Sequence, residues 1–280
     1  MNAEKELITS RKNAEVLDVC ALLDKKGRER EGRFRFDGIK LFLEAAASAP
    51  DAIETIFIKE SEKDKIIDTV ERAFARNGGR FTGRVLVLSD FVFDKITEEK
   101  GAQGIVCTAR YLDGLHTRVI KEDSEDVGIP DGEKIMALSS VRDPGNIGTL
   151  MRTASAFGID RLILSSDCAD VYNPKTIRAS MGAIFRQKTI IADDLAALLS
   201  ALKHGGRRIL AADPDASALP MEKAGLSASD CIVIGNEGHG ISDDVLDVCD
   251  TSVFIPISSS TESLNASVAG AVFMWEMSKL

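Results

Sequence analysis

An α/β fold built on a mostly parallel sheet is the class this 280-residue sequence predicts. Three observations carry that expectation. The first 110 residues alternate helical and strand-like stretches, and from Lys134 the alternation resumes as strand, loop and helix. The last fifty residues read strand, glycine loop, short helix, strand, serine-rich loop, helix. Two loops thus leave the same ends of two strands, where open α/β sheets place their ligands.

Residues 13–26 carry Val16, Leu17, Cys20 and Leu23 at helical spacing and predict one amphipathic helix. Residues 33–37 predict a short strand, 39–49 a helix, 53–59 a strand, and 62–76 a helix closed by Asn77-Gly78-Gly79. Residues 85–89 and 105–109 supply further strands, completing an α/β unit. Between Tyr111 and Glu133 the chain turns polar, with Lys121-Glu122-Asp123-Ser124-Glu125-Asp126 and then Ile129-Pro130-Asp131-Gly132. This reads as a linker with a hairpin or loop. The expected organisation is a domain over 1–110, a linker over 111–133 and a second domain over 134–280.

In the second half, the apolar residues 135–141 predict a strand and Arg142-Asp143-Pro144-Gly145 a turn. Asn146 is then a helix N-cap candidate, with Ile147, Leu150, Met151, Ala154 and Phe157 as a buried stripe and Gly158 closing the helix. Arg152 falls off that stripe, one turn beyond Gly148, whose missing side chain leaves room to reach the guanidinium. Residues 161–165, 188–192 and 207–212 predict strands, with helices starting near Pro174 and Leu195. Such alternation favours a parallel sheet covered on both faces. Residues 231–234 form another apolar run ending in Gly235-Asn236-Glu237-Gly238-His239-Gly240, where three glycines free the backbone for positive φ and close ligand approach. Ser242 with Asp243 and Asp244 predicts a capped helix start, residues 252–257 a strand, and Leu264-Asn265-Ala266 the opening of a helix rich in small residues. Periodicity alone predicts an unknotted doubly wound sheet, since true knots are essentially absent from proteins.

Composition narrows the function classes. With 44% hydrophobic and 28% charged residues this is ordinary globular material, and no apolar run approaches the roughly 20 residues of a membrane span. The charged N-terminus has no apolar core of a signal peptide, so a cytoplasmic protein is expected. Five scattered cysteines lack the paired spacing of a zinc site, and no metal is expected. A formal charge of −9 argues against a wholly basic nucleic-acid surface. Yet Lys25, Lys26, Arg28, Arg30, Arg33 and Arg35 crowd into eleven positions. That stretch is either a solvated helix end or a local phosphate-contacting patch.

The glycine loop lacks the Gly-x-Gly-x-x-Gly order of a dinucleotide site, which argues against an oxidoreductase. Its spacing to Ile255-Pro256-Ile257 and Ser263-Leu264-Asn265-Ala266-Ser267 resembles instead the last two motifs of the SpoU (TrmH) family of RNA ribose 2′-O-methyltransferases. The family's first motif, Asn-x-Gly-x-x-x-Arg after a strand, is matched by Asn146, Gly148 and Arg152. Asn173-Pro174-Lys175 and Arg178-Ala179-Ser180-Met181-Gly182 extend the resemblance across the second half. Phe34-Arg35-Phe36-Asp37-Gly38 before a helix is similar to the L30e-like substrate-binding domain that precedes many SpoU catalytic domains. Ile257 and Ala266 depart from the family's usual methionine and valine, both as apolar exchanges.

The resemblance implies an N-terminal L30e-like α/β/α domain followed by a SPOUT α/β domain whose C-terminus forms a deep trefoil knot, against the unknotted sheet of periodicity alone. It implies S-adenosyl-L-methionine held mainly by the main chain of Gly235, Ile255 and Leu264, with Asn236 and Gly240 beside them. Arg152 is implied as the catalytic residue. An arginine stays protonated, so orienting the hydroxyl and its neighbouring phosphate is the more defensible role. Asn146, Asn265, Glu237 and Ser263 are implied partners, although Asn146 suits a plain helix cap equally well and Ser263 is open between substrate contact and capping. His239 is a weaker base candidate. Arg28, Arg30, Arg33, Lys175 and Arg178 are the candidate RNA contacts. A homodimer is implied, with Ala266, Ser267, Ala269, Gly270 and Ala271 as small residues suited to close packing against a partner or within the chain. The expected substrate is ribosomal RNA; a tRNA ribose methyltransferase, or a non-catalytic RNA-binding or ribosome-assembly factor on the same fold, is the alternative.

Overall fold

A computed structural model describes residues 7–76, 78–97, 103–119, 128–215, 217–261 and 263–280. The start of the charged N-terminus, Asn77 of the helix closure and the Lys121-Glu122-Asp123-Ser124-Glu125-Asp126 run lie outside these residues. In chain order the elements are α1 (Ala14–Ala21), α2 (Lys25–Glu31), β1 (Arg33–Asp37), α3 (Ile39–Ser48), β2 (Ile53–Lys59), α4 (Lys63–Arg76), β3 (Arg84–Leu88), α5 (Asp90–Ile96) and β4 (Ile105–Arg110). Then come β5 (His116–Val119), β6 (Ile135–Leu138), α6 (Pro144–Phe157), β7 (Arg161–Ser165), α7 (Pro174–Ser180), β8 (Lys188–Ala192), α8 (Leu195–His204) and β9 (Ile209–Ala212). The chain closes with β10 (Leu219–Pro220), β11 (Cys231–Ile234), α9 (Asp243–Leu246), β12 (Thr251–Phe254) and α10 (Ala266–Met277).

The elements gather into two compact units. One holds the residues up to Leu112 together with Tyr172–Arg186; the other holds Asp113–Val171 and Gln187–Leu280. In the first, a sheet of order β1-β4-β2-β3 pairs β4 antiparallel to β1 and β2, and β2 parallel to β3. Val16 and Val19 of α1 and Val92, Phe93 and Ile96 of α5 pack on Phe57, Leu86 and Leu88 of that sheet. The segment Tyr172–Arg186, which the sequence reading counts with the second half, packs in this unit. Tyr172 stacks on Tyr111 with ring centroids 4.2 Å apart, and Phe185 meets Phe36 edge-on at 5.1 Å.

The single helix expected over 13–26 is two helices. After Leu22 the chain turns, and the guanidinium of Arg28, itself only 1% exposed, donates to the carbonyls of Leu22 (2.9 Å) and Leu23 (2.7 Å). Those carbonyls lie at the end of α1, where a helix leaves acceptors unsatisfied. Arg28 is therefore a helix-end clamp, and burial removes it from the expected phosphate contacts. Arg33 bonds Asp18 at 2.9 Å and pairs with Glu31 and Glu54, while Arg35 is 2% exposed and bonded to Asp37. Lys25, Lys26 and Arg30 remain solvent-facing, Arg30 paired with the neighbouring Glu31.

In the second unit the sheet order is β10-β12-β9-β11-β6-β7-β8-β5, and every pairing among the described residues is parallel. The region expected to be a linker with a hairpin or loop thus contributes an edge strand, β5, among its described residues. Ile135 and Ala137 of β6, Ile163 of β7, Ile209 and Ala211 of β9 and Val233 of β11 meet Leu195, Leu198 and Leu199 of α8 in a continuous core. The strand expected over 252–257 ends at Phe254. On α6 the buried stripe is Ile147, Leu150, Met151 and Ala154, and Gly158 closes the helix at φ 68°. Across it lies α10, where a Cβ on Gly270 would overlap the Leu150 side chain. Ala266, Ser267 and Gly270 are buried within the unit, so these small residues serve packing inside the chain.

An ion-pair lock ties the starts of β6, β7 and β8, at the strand ends opposite the loops that follow β6 and β7. Glu133, just before β6, accepts from Arg161 of β7 at 2.8 and 3.0 Å and from Lys188 of β8 at 3.3 Å. Burial alone would raise the Glu133 carboxyl, but these cations outweigh it and hold it below its usual range. The stabilisation is therefore complete above the ordinary glutamate value of about 4.3 and disappears as pH falls through the lower folded value. Urea unfolding followed from pH 6 to pH 3 should lose stability on acidification, and Glu133→Gln should flatten part of that loss. An unchanged acid slope in the variant would remove Glu133 from the account.

Candidate active site

In the second unit's parallel sheet, β9, β11 and β12 are near neighbours, so the loops after them emerge at one edge. They enclose a cavity of about 430 Å³, within the roughly 300–1,000 Å³ of small-molecule pockets. The loop after β9 contributes Asp213 and Pro214; the loop after β11 contributes Gly235, Asn236, Glu237, Gly238 and Gly240. From β12 onward come Ile255, Ile257, Ser258, Ser263 and Leu264, and α10 supplies Ala266, Ala269 and Phe273. All five residues expected at the cofactor, Gly235, Asn236, Gly240, Ile255 and Leu264, line this one cavity.

The glycine loop folds back on itself. Asn236 and Gly240 exchange backbone hydrogen bonds of 2.8 and 2.9 Å, and the Asn236 side-chain oxygen accepts from the N–H groups of Gly238 and His239. Any Cβ on Gly235 would overlap the Gly240 carbonyl. Glycine is required there first by this closure, whereas the sequence pointed to positive φ and close ligand approach. Gly240 takes φ 69°, a conformation glycine adopts freely. The Asn236 amide also donates to the Ser140 carbonyl at 2.8 Å, tying the loop to the one after β6.

Asn146 is not the cap of α6. Asp143 caps it, accepting from the Asn146 N–H at 3.0 Å, and Pro144 takes the first helical position. This frees the Asn146 side chain to donate to Glu237 Oε1 and to accept from Asn265 Nδ2 at 3.2 Å. Asn265 is itself the cap of α10, its oxygen accepting from the Ser267 N–H at 2.9 Å and the Ser267 hydroxyl at 2.6 Å. Ser263 therefore does not cap that helix; it lines the cavity. Every hydrogen bond from Ser267 through Asn265 and Asn146 points toward the Glu237 carboxylate, which fixes the orientation of both amides. The first turn of α6, the cap of α10 and the glycine loop, far apart in sequence, are joined by one hydrogen-bond chain that ends at Glu237.

Arg152 lies on the solvent face of α6 and makes no hydrogen bond or ion pair with a described residue. Glu237 bonds Asn146 and leaves Arg152 unneutralised. Lys175 is exposed and Arg178 half-buried in α7, within the first unit. His239 is exposed in the glycine loop.

The sequence reading passed over Asp213. Burial, then the neighbouring Asp215, raise its carboxyl above the usual aspartate range. Its one signal was a carboxylate directly after an apolar strand. Cys168, Cys231 and Cys249 are unsuited to act as thiolates, since burial pushes them to about 11, about 12 and about 11. Among the described residues no group of three or more histidine, cysteine or acidic side chains could hold a metal, and no helix is long and apolar enough to cross a membrane.

A family model described as the SpoU rRNA Methylase family matches residues 133–275. The chain belongs to this family. A second model, described as an MRM3-like substrate binding domain, matches residues 13–107. Among relatives of this SpoU chain, the Bacillus subtilis protein named 23S rRNA (guanosine(2553)-2′-O)-methyltransferase RlmP is 27% identical over 96% of this chain and 98% of its own. The Acinetobacter baylyi 23S rRNA (guanosine-2′-O-)-methyltransferase RlmB is 33% identical over 62% of this chain and 69% of its own. A solved structure described as AdoMet-bound rRNA methyltransferase from Sinorhizobium meliloti aligns with a TM-score of 0.80 at 25% identity, covering 98% of this chain and 97% of that one.

The closure of the SpoU glycine loop generates a test. Gly235→Ala should push the Gly240–Ile241 peptide away from residue 235, costing about 1–3 kcal/mol as overpacking does, and should weaken any ligand of the cavity. Urea unfolding and calorimetry check both effects. Wild-type stability in the alanine variant would contradict the requirement for glycine.

Proposed function

We propose that this chain transfers the methyl group of S-adenosylmethionine to a ribose 2′-hydroxyl of structured RNA. The observation that carries the reading is the cavity after β9, β11 and β12, with Glu237 both lining it and ending the hydrogen-bond chain from Asn146 and Asn265. Membership of the SpoU family and the AdoMet-bound neighbour support the cofactor. So does charge. The described lining includes the carboxylates Asp213 and Glu237 and no lysine, arginine or histidine, which suits a ligand carrying net positive charge and disfavours a nucleotide phosphate.

When bound, S-adenosylmethionine supplies an electrophilic methyl group. The chain's own task is positioning, because the attacking oxygen must be aligned with that methyl group. Gly235, Ile255 and Leu264 would hold the cofactor by their main chains, with Asn236 and Gly240 fixing the loop shape. Arg152, without a partner among the described residues, would orient the hydroxyl and its adjacent phosphate through two parallel donors. Asn146 and Asn265, held by Glu237, would keep the substrate side of the cavity in register, and Ser263 would contact substrate from the rim.

The name of the Bacillus relative supports ribosomal RNA as substrate and hence work in the cytoplasm. Residues 1–110 would bind RNA, with Arg30 and the neighbouring Lys25 and Lys26 as exposed cations; Arg33 is held by its carboxylate partners and would contribute less. Lys175 and Arg178 would add contacts beyond that stretch. Residues 134–280 would carry the catalysis.

A deep trefoil knot at the C-terminus is part of the reading. From β12 the chain must pass the neighbouring β9 and β11 before α10 packs on α6 and β11. A homodimer is the other part. α10 is apolar all round, yet Val268 and Trp275 face outward at 48% and 52% exposure, and Trp275 abuts Phe157 of α6 at 5.6 Å. A helix apolar on every side ordinarily has every side covered.

Two experiments test the function. Calorimetry should detect S-adenosylmethionine binding that a chelator leaves unchanged; no heat, or heat abolished by chelator, sinks the cofactor assignment. Arg152→Ala should lower single-turnover methyl transfer to ribosomal RNA by about a hundredfold or more, as loss of a preorganised charge contact does, with melting and cofactor affinity retained. Arg152→Lys should rescue little. Near-normal transfer by the alanine variant would take Arg152 out of the mechanism.

A further inference from the structure

Outside the residues assigned so far, a polar bracket stands at the ends of β6 and β7. Asp167, in the turn after β7, has both carboxylate oxygens occupied. Ser165 Oγ donates to one at 2.6 Å; Ser140 Oγ donates to the other at 2.7 Å, and Arg142 joins it at 3.2 Å. Ser165 Oγ in turn accepts from the Ser140 N–H at 2.8 Å. Ser140 is thus gripped at its backbone nitrogen and its hydroxyl, and its φ is 56°, in the left-handed region that side chains other than glycine rarely occupy. Burial alone would raise the Asp167 carboxyl, but the two hydroxyls and Arg142 hold it below the usual range, so it is ionised at neutral pH.

The consequence lies one bond further on. In this conformation the Ser140 carbonyl accepts from the Asn236 amide at 2.8 Å, and Asn236 orders the glycine loop through Gly238, His239 and Gly240. That loop presents Glu237 to Asn146 and walls the cavity. We infer that Asp167 is a positioning residue for methyl transfer: it holds Ser140 in a left-handed conformation so that the Ser140 carbonyl anchors Asn236 and sets the glycine loop. The inference rests on the methyl-transfer reading above. The strained backbone at a functional loop is retained because the surrounding hydrogen bonds over-determine it.

The design separates positioning from bulk stability, because glycine adopts a positive φ without the bracket. Asp167→Ala should lower the single-turnover rate at saturating cofactor and RNA about tenfold or more, as a misplaced catalytic loop does. Adding Ser140→Gly to that variant should return the rate to within about threefold of wild type, since glycine removes the conformational cost. The melting temperature should stay well below that of wild type, because the hydrogen bonds to the Asp167 carboxylate remain absent. Cofactor affinity by calorimetry should fall and recover with the rate. If Asp167→Ala does not fold, Asp167→Asn, which cannot accept from Ser140, Ser165 and Arg142 as a carboxylate does, carries the same rescue. A double variant as slow as the single, or a single variant at wild-type rate, overturns the inference. A wild-type chain that binds cofactor but methylates no RNA contradicts the proposed function instead, and the fall and recovery of cofactor affinity still decide the role of Asp167.

Discussion

The carboxylate of Glu237 ends the hydrogen-bond chain that joins the first turn of α6, the cap of α10 and the glycine loop, and the site's geometry hangs on those hydrogen bonds. From Ser267 to Asn265, to Asn146 and on to Glu237, each donor points the same way. Hydrogen bonds to an ionised acceptor are about twice as strong as neutral ones, and a chain of them polarises its members. Asn265 also does local work as the cap of α10, whereas α6 is capped by Asp143, which leaves the Asn146 side chain free for this chain of bonds. At α10 the helix start and the register of the hydrogen-bond chain are thereby set by one side chain.

The parallel sheet makes that convergence possible. With β9 between β11 and β12, the loops leaving all three emerge at one edge although about forty residues separate β9 from β12 in the sequence. The opposite strand ends are fastened by Glu133, Arg161 and Lys188, whose ion pairs tie the starts of β6, β7 and β8. The cavity wall at Gly235 is built with no space for a side chain because the loop closes on its own backbone. Glu237, by contrast, is exposed on the same loop.

Much of this was legible in the sequence where local pattern and tertiary role coincide. The strand 53–59 and the stripe of α6 from Ile147 to Ala154 emerge as expected, because apolar spacing records burial directly, while Phe157 at the end of the stripe is only half-buried. Misreadings came where one residue serves a distant partner. Asn146 fits a cap by local rules, yet Pro144 pulls the helix start forward and Asp143 takes the role. Arg28 looks like part of a basic patch, and only the turn after α1 reveals that its guanidinium is buried against main-chain carbonyls. The four residues of β5, buried only at the two ends, carry too short a pattern within a polar stretch to be separated from a linker. Ser140 carries no sequence signal for its positive φ, since the cause lies in Asp167, beyond an intervening helix and strand.

A double-mutant cycle between Asn146 and Glu237, read in single-turnover transfer to ribosomal RNA, tests most directly whether the loops act as one unit. If their hydrogen bond sets the register, Asn146→Ala and Glu237→Ala should each slow transfer, and the double variant should be little slower than the worse single. The coupling should then be about 0.5–3 kcal/mol, as for residues in one hydrogen-bond network. Additive losses in the double variant would mean that Asn146 and Glu237 act independently and that the convergence on Glu237 does not organise the site.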